Sequence, residues 1–176
     1  MEERAKPVIR EATLEDVYAI RRFHAHSWLE TYPNESAGVP RSWVLERWLN
    51  WDSEEKLQES SQVIADILAN KNHLYRIAVV GSDVVALMHA MRDSITQELG
   101  GLYIDKRYQG SGLAQELMEL ANGFWNSRRP VELSVVDYNE RAKHFYEKQG
   151  FKKIVKSEYL HADKMPSIKM RREPTE

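Results

Sequence analysis

The residues best suited to do chemistry sit at a strand-to-helix junction. In LGGLYIDKRYQGSGLAQELMELA, a β-rich run (Leu99 to Ile104) enters a loop, and a helix is expected to open near Gly112. Gln109, Gly110, Ser111, Gly112, Leu113 and Ala114 form the junction. Small residues there let backbone N–H groups converge on a bulky anion, and the helix start adds the equivalent of roughly +0.5 charge. The expected ligand is a diphosphate held mostly by main chain. Neither common nucleotide pattern fits. A P-loop needs Lys then Ser or Thr after its glycines, and a dinucleotide fingerprint needs a third glycine where Gln115 stands.

A second stretch, LSVVDYNERAKHFYEKQGF, carries Leu133, Val135, Asn139, Ala142, Phe145, Tyr146, Gly150 and Phe151 as a strand followed by Asn-x-x-Ala-x-x-Phe-Tyr-x-x-x-Gly-Phe. With Gln109, Gly112 and Ala114 upstream, this order and spacing resembles the Gcn5-related N-acetyltransferase (GNAT) family. IREATLEDVYAI is similar to that family's first strand and helix, so the resemblance extends over most of the chain. It implies an α/β (α+β) fold: a mixed, splayed sheet of about six to seven strands flanked by helices, with acetyl-CoA between the central strands. It further implies that Leu102, Tyr103 and Ile104 pair with the pantetheine arm of coenzyme A through their backbone. Gln109 to Ala114 would hold the pyrophosphate; Lys106 and Arg107, by their position beside that loop, are expected to meet the CoA phosphates. Asn139 would reach the pantetheine or thioester end, and Tyr146 would sit near the sulfur. Glu98 stands where a carboxylate often acts as base in related enzymes. Gly100-Gly101 depart from the polar residues usual there and are expected to permit a bulge or a close backbone approach.

Acid–base chemistry points the same way. An amine attacks a thioester carbonyl only as the free base, whereas alkylamines with a pKa of about 10.4 are protonated at neutral pH. Something must take that proton, something must donate to the developing oxyanion, and the thiolate leaves better when protonated. A phenol with a pKa of about 10 suits the last task, which makes Tyr146 the expected general acid, while the resemblance implies Glu98 as the base.

Acceptor specificity is expected between the first helix and the early strands, where Trp28, Glu30, Tyr32, Glu35, Trp43, Trp48 and Trp51 bring aromatics and carboxylates together. That composition suits a cationic amine through ion pairing and cation–π contact, although tryptophans at helical spacing equally serve a core. SWLETYPN is similar to the corresponding region of small-amine and polyamine acetyltransferases. A small-molecule amine is therefore the first reading of the acceptor. A peptide or protein amine is the second, and a non-catalytic acyl-CoA-binding module is the third, against which Tyr146 and Asn139 speak.

The positioning elements are legible from periodicity. Pro7 to Arg10 reads as a strand. Thr13 and Asp16 are close to a capping box ahead of a helix whose apolar face holds Leu14, Val17, Ile20, Phe23 (or His24) and Trp28. Pro33 to Pro40 breaks it. Helices occupy Ser42 to Trp51 and, capped by Ser53, a stretch to about Ala69, with Leu57, Ile64, Ile67 and Leu68 apolar. Tyr75 to Val80 and Val84 to Met91 read as strands joined at Gly81-Ser82-Asp83. Leu113, Leu117, Leu120, Ala121 and Phe124 form a helical stripe, and Val131 to Val136 a further strand. NERAKHFYEKQ reads as a helix that Gly150 stops. Phe151 to Tyr159 and Ile168 to Arg172 read as closing strands, which could pair across subunits in a homodimer. Arg171 to Glu176 is expected to be disordered.

Composition bounds the rest. A chain of 176 residues, 42% hydrophobic and 30% charged, suits one domain, with acceptor-side helices over about 13–70 and a cofactor-binding core over about 73–172. A net charge of -2 gives no basic footprint for nucleic acid. No apolar run is long enough for a membrane span and the N-terminus lacks the stretch of a signal peptide, so a cytoplasmic location is expected. The absence of cysteine removes disulfides, thiolate nucleophiles and iron–sulfur clusters. His24 and His26, two apart on a helix, point to different faces, so no metal site is expected; surface or acceptor-pocket positions are expected for them instead.

Overall fold

The structure, a computed structural model, describes residues 5–175. Eight strands among these residues share one mixed sheet: β1 (Val8–Glu11), β2 (His73–Val80), β3 (Asp83–Arg92), β4 (Gln97–Ile104), β5 (Val131–Val136), β6 (Lys152–Lys153), β7 (Tyr159–His161) and β8 (Met165–Arg172). Their order is β1-β2-β3-β4-β5-β8-β6, with β7 also paired to β8. Only β4 and β5 run parallel. The helices are α1 (Val17–Thr31), α2 (Arg41–Arg47), α3 (Glu54–Ala69), α4 (Leu113–Phe124) and α5 (Glu140–Lys148).

Each sheet face buries its own set of side chains. Ile20 and Phe23 of α1 and Ile64 of α3 pack on Tyr75, Ile77 and Leu87. On the opposite face Leu117, Met118 and Ala121 of α4, with Tyr146 of α5, pack on Ala86, Met88, Leu133 and Ile168. Fully burying a Leu or Met side chain stabilises by about 1.5–3 kcal/mol, so Leu117 and Met118, both at 0% exposure, anchor α4 to the sheet. The β2–β3 hairpin turns at Gly81-Ser82, where Gly81 takes the positive φ (+60°) that such a tight turn requires.

Several elements differ from expectation for local reasons. The closing run over 151–159 is split into β6 and β7, which raises the strand count to eight. Lys156 adopts φ +58°, and the Ser157 hydroxyl donates to Ile154 O while accepting the Lys169 N–H, so the chain loops out between the two pieces. Leu14 is 51% exposed because it lies in a 3-10 turn (Leu14–Asp16) that precedes α1 and is out of phase with it. The buried face of α4 centres on Leu117, Met118 and Ala121, leaving Leu120 42% exposed. Helix α2 stops at Arg47, and Trp48 to Trp51 continue as separate turns. Arg171 and Arg172 belong to β8, and the Thr175 N–H donates to Ser127 O at 2.9 Å; Glu176 lies outside the described residues.

Two polar devices hold the frame. The amide of Gln97, 2% exposed, donates to Asn126 O and Arg129 O and accepts the Asn126 N–H at 2.7 Å. That pins the turn from α4 into β5 beside the start of β4. At the other end of the chain the Asp16 carboxylate accepts from the Thr13 N–H and hydroxyl and from both terminal nitrogens of Arg10 at 2.7 Å.

The Arg10 guanidinium is the main cause that lowers the Asp16 pKa from 3.8 to about 2. A folded-state value below the unfolded one contributes stability above about pH 4 that is lost as the pH falls towards 2. Asp16→Ala should therefore lower stability by about 1–2 kcal/mol at pH 7, with the gap to wild type closing between about pH 4 and pH 2 in urea unfolding. A gap that stays constant with pH would contradict this account.

Candidate active site

Strands β4 and β5 pair at only two positions, Glu98 with Glu132 and Leu99 with Leu133, and then part. The divergence starts at a β-bulge. On β3, His89 faces Gly101 and Ala90 faces Leu99, so Gly100 is the extra residue. A bulge bends its strand and re-aims the residues beyond it. A Cβ at Gly100 would lie 2.7 Å from the Met91 methyl, the flexible end of that side chain, and 3.4 Å from His89 Nδ1. Past this point the β4 edge facing β5 has no strand partner, and its backbone groups open into a cavity of about 410 Å³.

One wall of that cavity is Leu99 to Ile104 of β4, and Ser134 to Val136 of β5 form another. Its floor is the loop into α4. Gly110 and Gly112 both adopt left-handed backbone (φ +78° and +93°), and a Cβ on either would meet nothing within 4 Å. Backbone direction, not space, requires glycine here. Within the described residues the Gly110 and Gly112 amides have no hydrogen-bond acceptor, and position alone leaves Ala114 and Gln115, in the first turn of α4, without intrahelical partners. Gln109 braces the loop: its amide donates to Ile104 O at 3.1 Å and its carbonyl accepts from Arg141. The result is a set of convergent donors at a helix N-terminus, open to solvent, which fits a diphosphate. Leu102, Tyr103, Ile104, Gln109, Gly110, Gly112, Ala114, Asn139 and Tyr146 all line this one cavity. Ser111 and Leu113 do not. The Ser111 hydroxyl folds back onto Tyr108 O, and the Leu113 side chain is buried in the core.

Tyr146 reaches the cavity through two helix devices. Asn139 caps α5, its Oδ1 accepting the Ala142 N–H at 3.1 Å. At the other end Gly150 (φ +85°) allows a Schellman motif: its N–H donates to Glu147 O at 2.9 Å and the Phe151 N–H to Tyr146 O at 3.0 Å. The Phe151 ring then lies 6.0 Å from that of Tyr146 and edge-on to it. Tyr146 is 7% exposed and its hydroxyl has no hydrogen-bond partner within the described residues. Burial pushes its pKa up, with the nearby Tyr103 phenol adding to the shift, so the phenol stays protonated.

Other expected residues divide. Glu98 is exposed and outside the cavity lining, whereas its neighbour Leu99 is buried in the cavity wall. Glu30 and Tyr32 line the cavity, with the Tyr32 hydroxyl 3.1 Å from that of Tyr103. Trp28, Trp43 and Trp48 pack around buried Val39 and Val44 instead, Trp51 lies against Tyr18, and Glu35 falls outside the lining. His24 sits among Trp28, Trp48 and Tyr103 and accepts the Trp28 Nε1–H at 3.0 Å. Desolvation lowers its pKa to about 4, which makes it a neutral packing residue. His26 lies 3.5 Å from Glu30. Lys106 lines the cavity and pairs with Glu30 at 3.4 Å, while Arg107 pairs with Asp105. Arg141, Tyr159 and His161 also line the cavity without having been expected to. Arg141 carried no signal of its own, since it occupies an unspecified position of the Asn-x-x-Ala segment.

Free amides at a helix start, an unpaired strand edge and an unpartnered buried phenol in one cleft define a protein built to hold a coenzyme A thioester. A family profile, acetyltransferase (GNAT) domain, matches residues 34–174, and the chain belongs to that family of acetyl-CoA-dependent acetyltransferases. No curated protein matches the sequence. Among solved structures it is similar to the PaiA N-acetyltransferase of Thermoplasma acidophilum in complex with coenzyme A, at 22% identity, TM-score 0.71 and coverage of 96% of this chain and 99% of that one. A GNAT-family acetyltransferase of Streptococcus pneumoniae matches at 18% identity and TM-score 0.70, covering 97% and 100%. The ribosomal-protein-S18-alanine N-acetyltransferase of Escherichia coli matches at 16% and 0.60, covering 97% and 96%. These likenesses establish the shared fold.

Gly112→Ala tests the loop. An L-residue at φ +93° is strained by roughly 1–2 kcal/mol, and relief would turn the amide away from the cleft. The expected result is an about tenfold weaker Kd for coenzyme A in calorimetry, with Gly123→Ala, in open space on α4, leaving it unchanged. Equal affinities for wild type and Gly112→Ala would contradict the assignment.

Proposed function

We propose that the protein transfers the acetyl group of acetyl-CoA to the primary amine of a small cationic molecule such as a polyamine, as one domain whose 13–70 segment serves the acceptor and whose 73–172 segment serves the cofactor. The observation that carries this reading is that one continuous cavity joins the loop amides, the Tyr146 hydroxyl and Glu30. Glu30 is the one carboxylate among the lining residues, beside the aromatic faces of Tyr32, Tyr103 and Tyr159. An ammonium group fits there by ion pairing and cation–π attraction. Lys106, which pairs with Glu30 at 3.4 Å, lies between this acceptor end and the phosphate loop.

In this reading the amides of Gly110, Gly112 and Ala114 bind the diphosphate, and Gln109 and Arg141 brace and charge that end. The β4 edge from Gly101 to Ile104 offers its backbone to the pantetheine amides, which orients the thioester. Asn139 fixes the start of α5 and with it the approach of Tyr146. As the amine nitrogen bonds to the acetyl carbon and the C–S bond breaks, Tyr146 gives its hydroxyl proton to the departing sulfur. A pKa raised by burial keeps that proton in place well above neutral pH. We place the reaction in the cytoplasm, with the acetyl-CoA on which it draws.

Turnover with a panel of diamines, polyamines and peptide N-termini, monitored by release of free thiol, tests both halves of the reading. Small polycationic amines should be preferred, and Tyr146→Phe should lower kcat about 10²-fold while the Kd for coenzyme A stays within about twofold. Transfer to peptides but not to small amines would move the acceptor assignment, and an unchanged kcat in Tyr146→Phe would remove the phenol from the chemistry.

A further inference from the structure

Acetyl transfer to an amine also requires a group that removes the proton from the acceptor's ammonium. Glu98 is exposed and does not line the cavity. Among the lining groups, phenols keep their protons at neutral pH, Lys106 and Arg141 are cations, and Glu30, which holds the ammonium in this reading, is as a carboxylate a far weaker base than an imidazole. His161 remains.

Its placement is built by long-range packing. Strand β7 is held only against β8, with His161 opposite Met165. The turn between them runs through Ala162 and Asp163, both in left-handed backbone (φ +50° and +57°), and the Lys164 N–H donates to His161 O at 3.2 Å. Asp163 tolerates this backbone, but Ala162 does so at a cost, and such backbone persists where the surroundings over-determine it. From α1, the Trp28 ring lies 6.3 Å from the imidazole, and on its own strand Tyr159 lies 6.5 Å away, edge-on. From α2, the Arg47 guanidinium stands over Trp28 at 5.8 Å and brings its charge to the same side. Trp28 in turn meets Tyr32 edge-on at 4.7 Å, and the Tyr32 hydroxyl meets that of Tyr103. The imidazole thus stands at the acceptor end of the cavity with one side open to water.

We propose that His161 is the general base of the acetyl transfer, a catalytic role that rests on the protein's being an amine acetyltransferase. The imidazole takes one proton from the ammonium, and the freed nitrogen lone pair forms the C–N bond. The C–S electron pair leaves on sulfur, which takes the Tyr146 proton. The second nitrogen proton restores the phenol through water, and His161 releases its own proton to solvent at the mouth. The sum is amine plus thioester to amide plus thiol, with one proton released from the ammonium. Partial desolvation, its main cause, and the Arg47 charge hold the His161 pKa below its ordinary value, so the neutral, proton-accepting form prevails at pH 7.

The test is the pH dependence of kcat/KM for wild type, His161→Gln and His161→Ala with a small diamine, alongside calorimetric binding of coenzyme A. Wild type should show an acid limb below about pH 6.5. His161→Gln should lose about 10²-fold in kcat and lose that limb, with coenzyme A affinity within about twofold. Added imidazole should restore part of the rate to His161→Ala. If His161→Gln keeps its rate within about twofold and retains the acid limb, or if imidazole restores nothing, the proposal falls while the acetyltransferase reading stands. If wild type binds coenzyme A yet acetylates no amine, the reading and the proposal fall together.

Discussion

Everything the cleft can do depends on two neighbouring strands that pair and then stop pairing. Between β4 and β5 the ladder has two residue pairs, closed at one end and open at the other. The closed end is secured by the buried Gln97 amide, which ties the start of β4 to the turn that launches β5. The open end is set by Gly100, whose bulge bends β4 against β3. Unpaired backbone inside a protein is ordinarily a liability, because buried amide groups need partners. Here the groups face a cleft, where an amide-bearing chain such as pantetheine can complete the ladder.

The same economy appears in α5. A nine-residue helix is too short to hold a side chain by its own cooperativity. It is fixed by Asn139 at one end and by the Gly150–Phe151 turn at the other. Because the Phe151 N–H binds Tyr146 O and its ring packs on the Tyr146 ring, the turn that ends the helix also aims the phenol. The spacing from asparagine through tyrosine to glycine and phenylalanine is thus one mechanical unit.

Local spacing made much of this readable. The glycines at 110 and 112 and the stop at Gly150 each sit where the backbone turns left-handed, and the irregularity expected at Gly100 is the bulge against β3. That Trp43 and Trp48 pack around Val39 and Val44 and not along the cavity was not readable, because aromatics at helical spacing serve core and cavity with one pattern. The side of β4 that faces the cavity changes with a shift of one residue, which separates exposed Glu98 from buried Leu99. His161 escaped notice because nothing near it in the chain marks it; Trp28 and Arg47, more than a hundred positions away, give it its surroundings. No helix among the described residues is long and apolar enough to cross a membrane.

The central claim is that the parted strands receive the thioester carrier, and amide hydrogen exchange with and without coenzyme A tests it most directly. Exchange should slow at residues 101–104 and 110–115 and stay the same along β1 and β2. Protection absent from both stretches, with binding demonstrated in the same sample, would place the carrier elsewhere and contradict this account of the cleft.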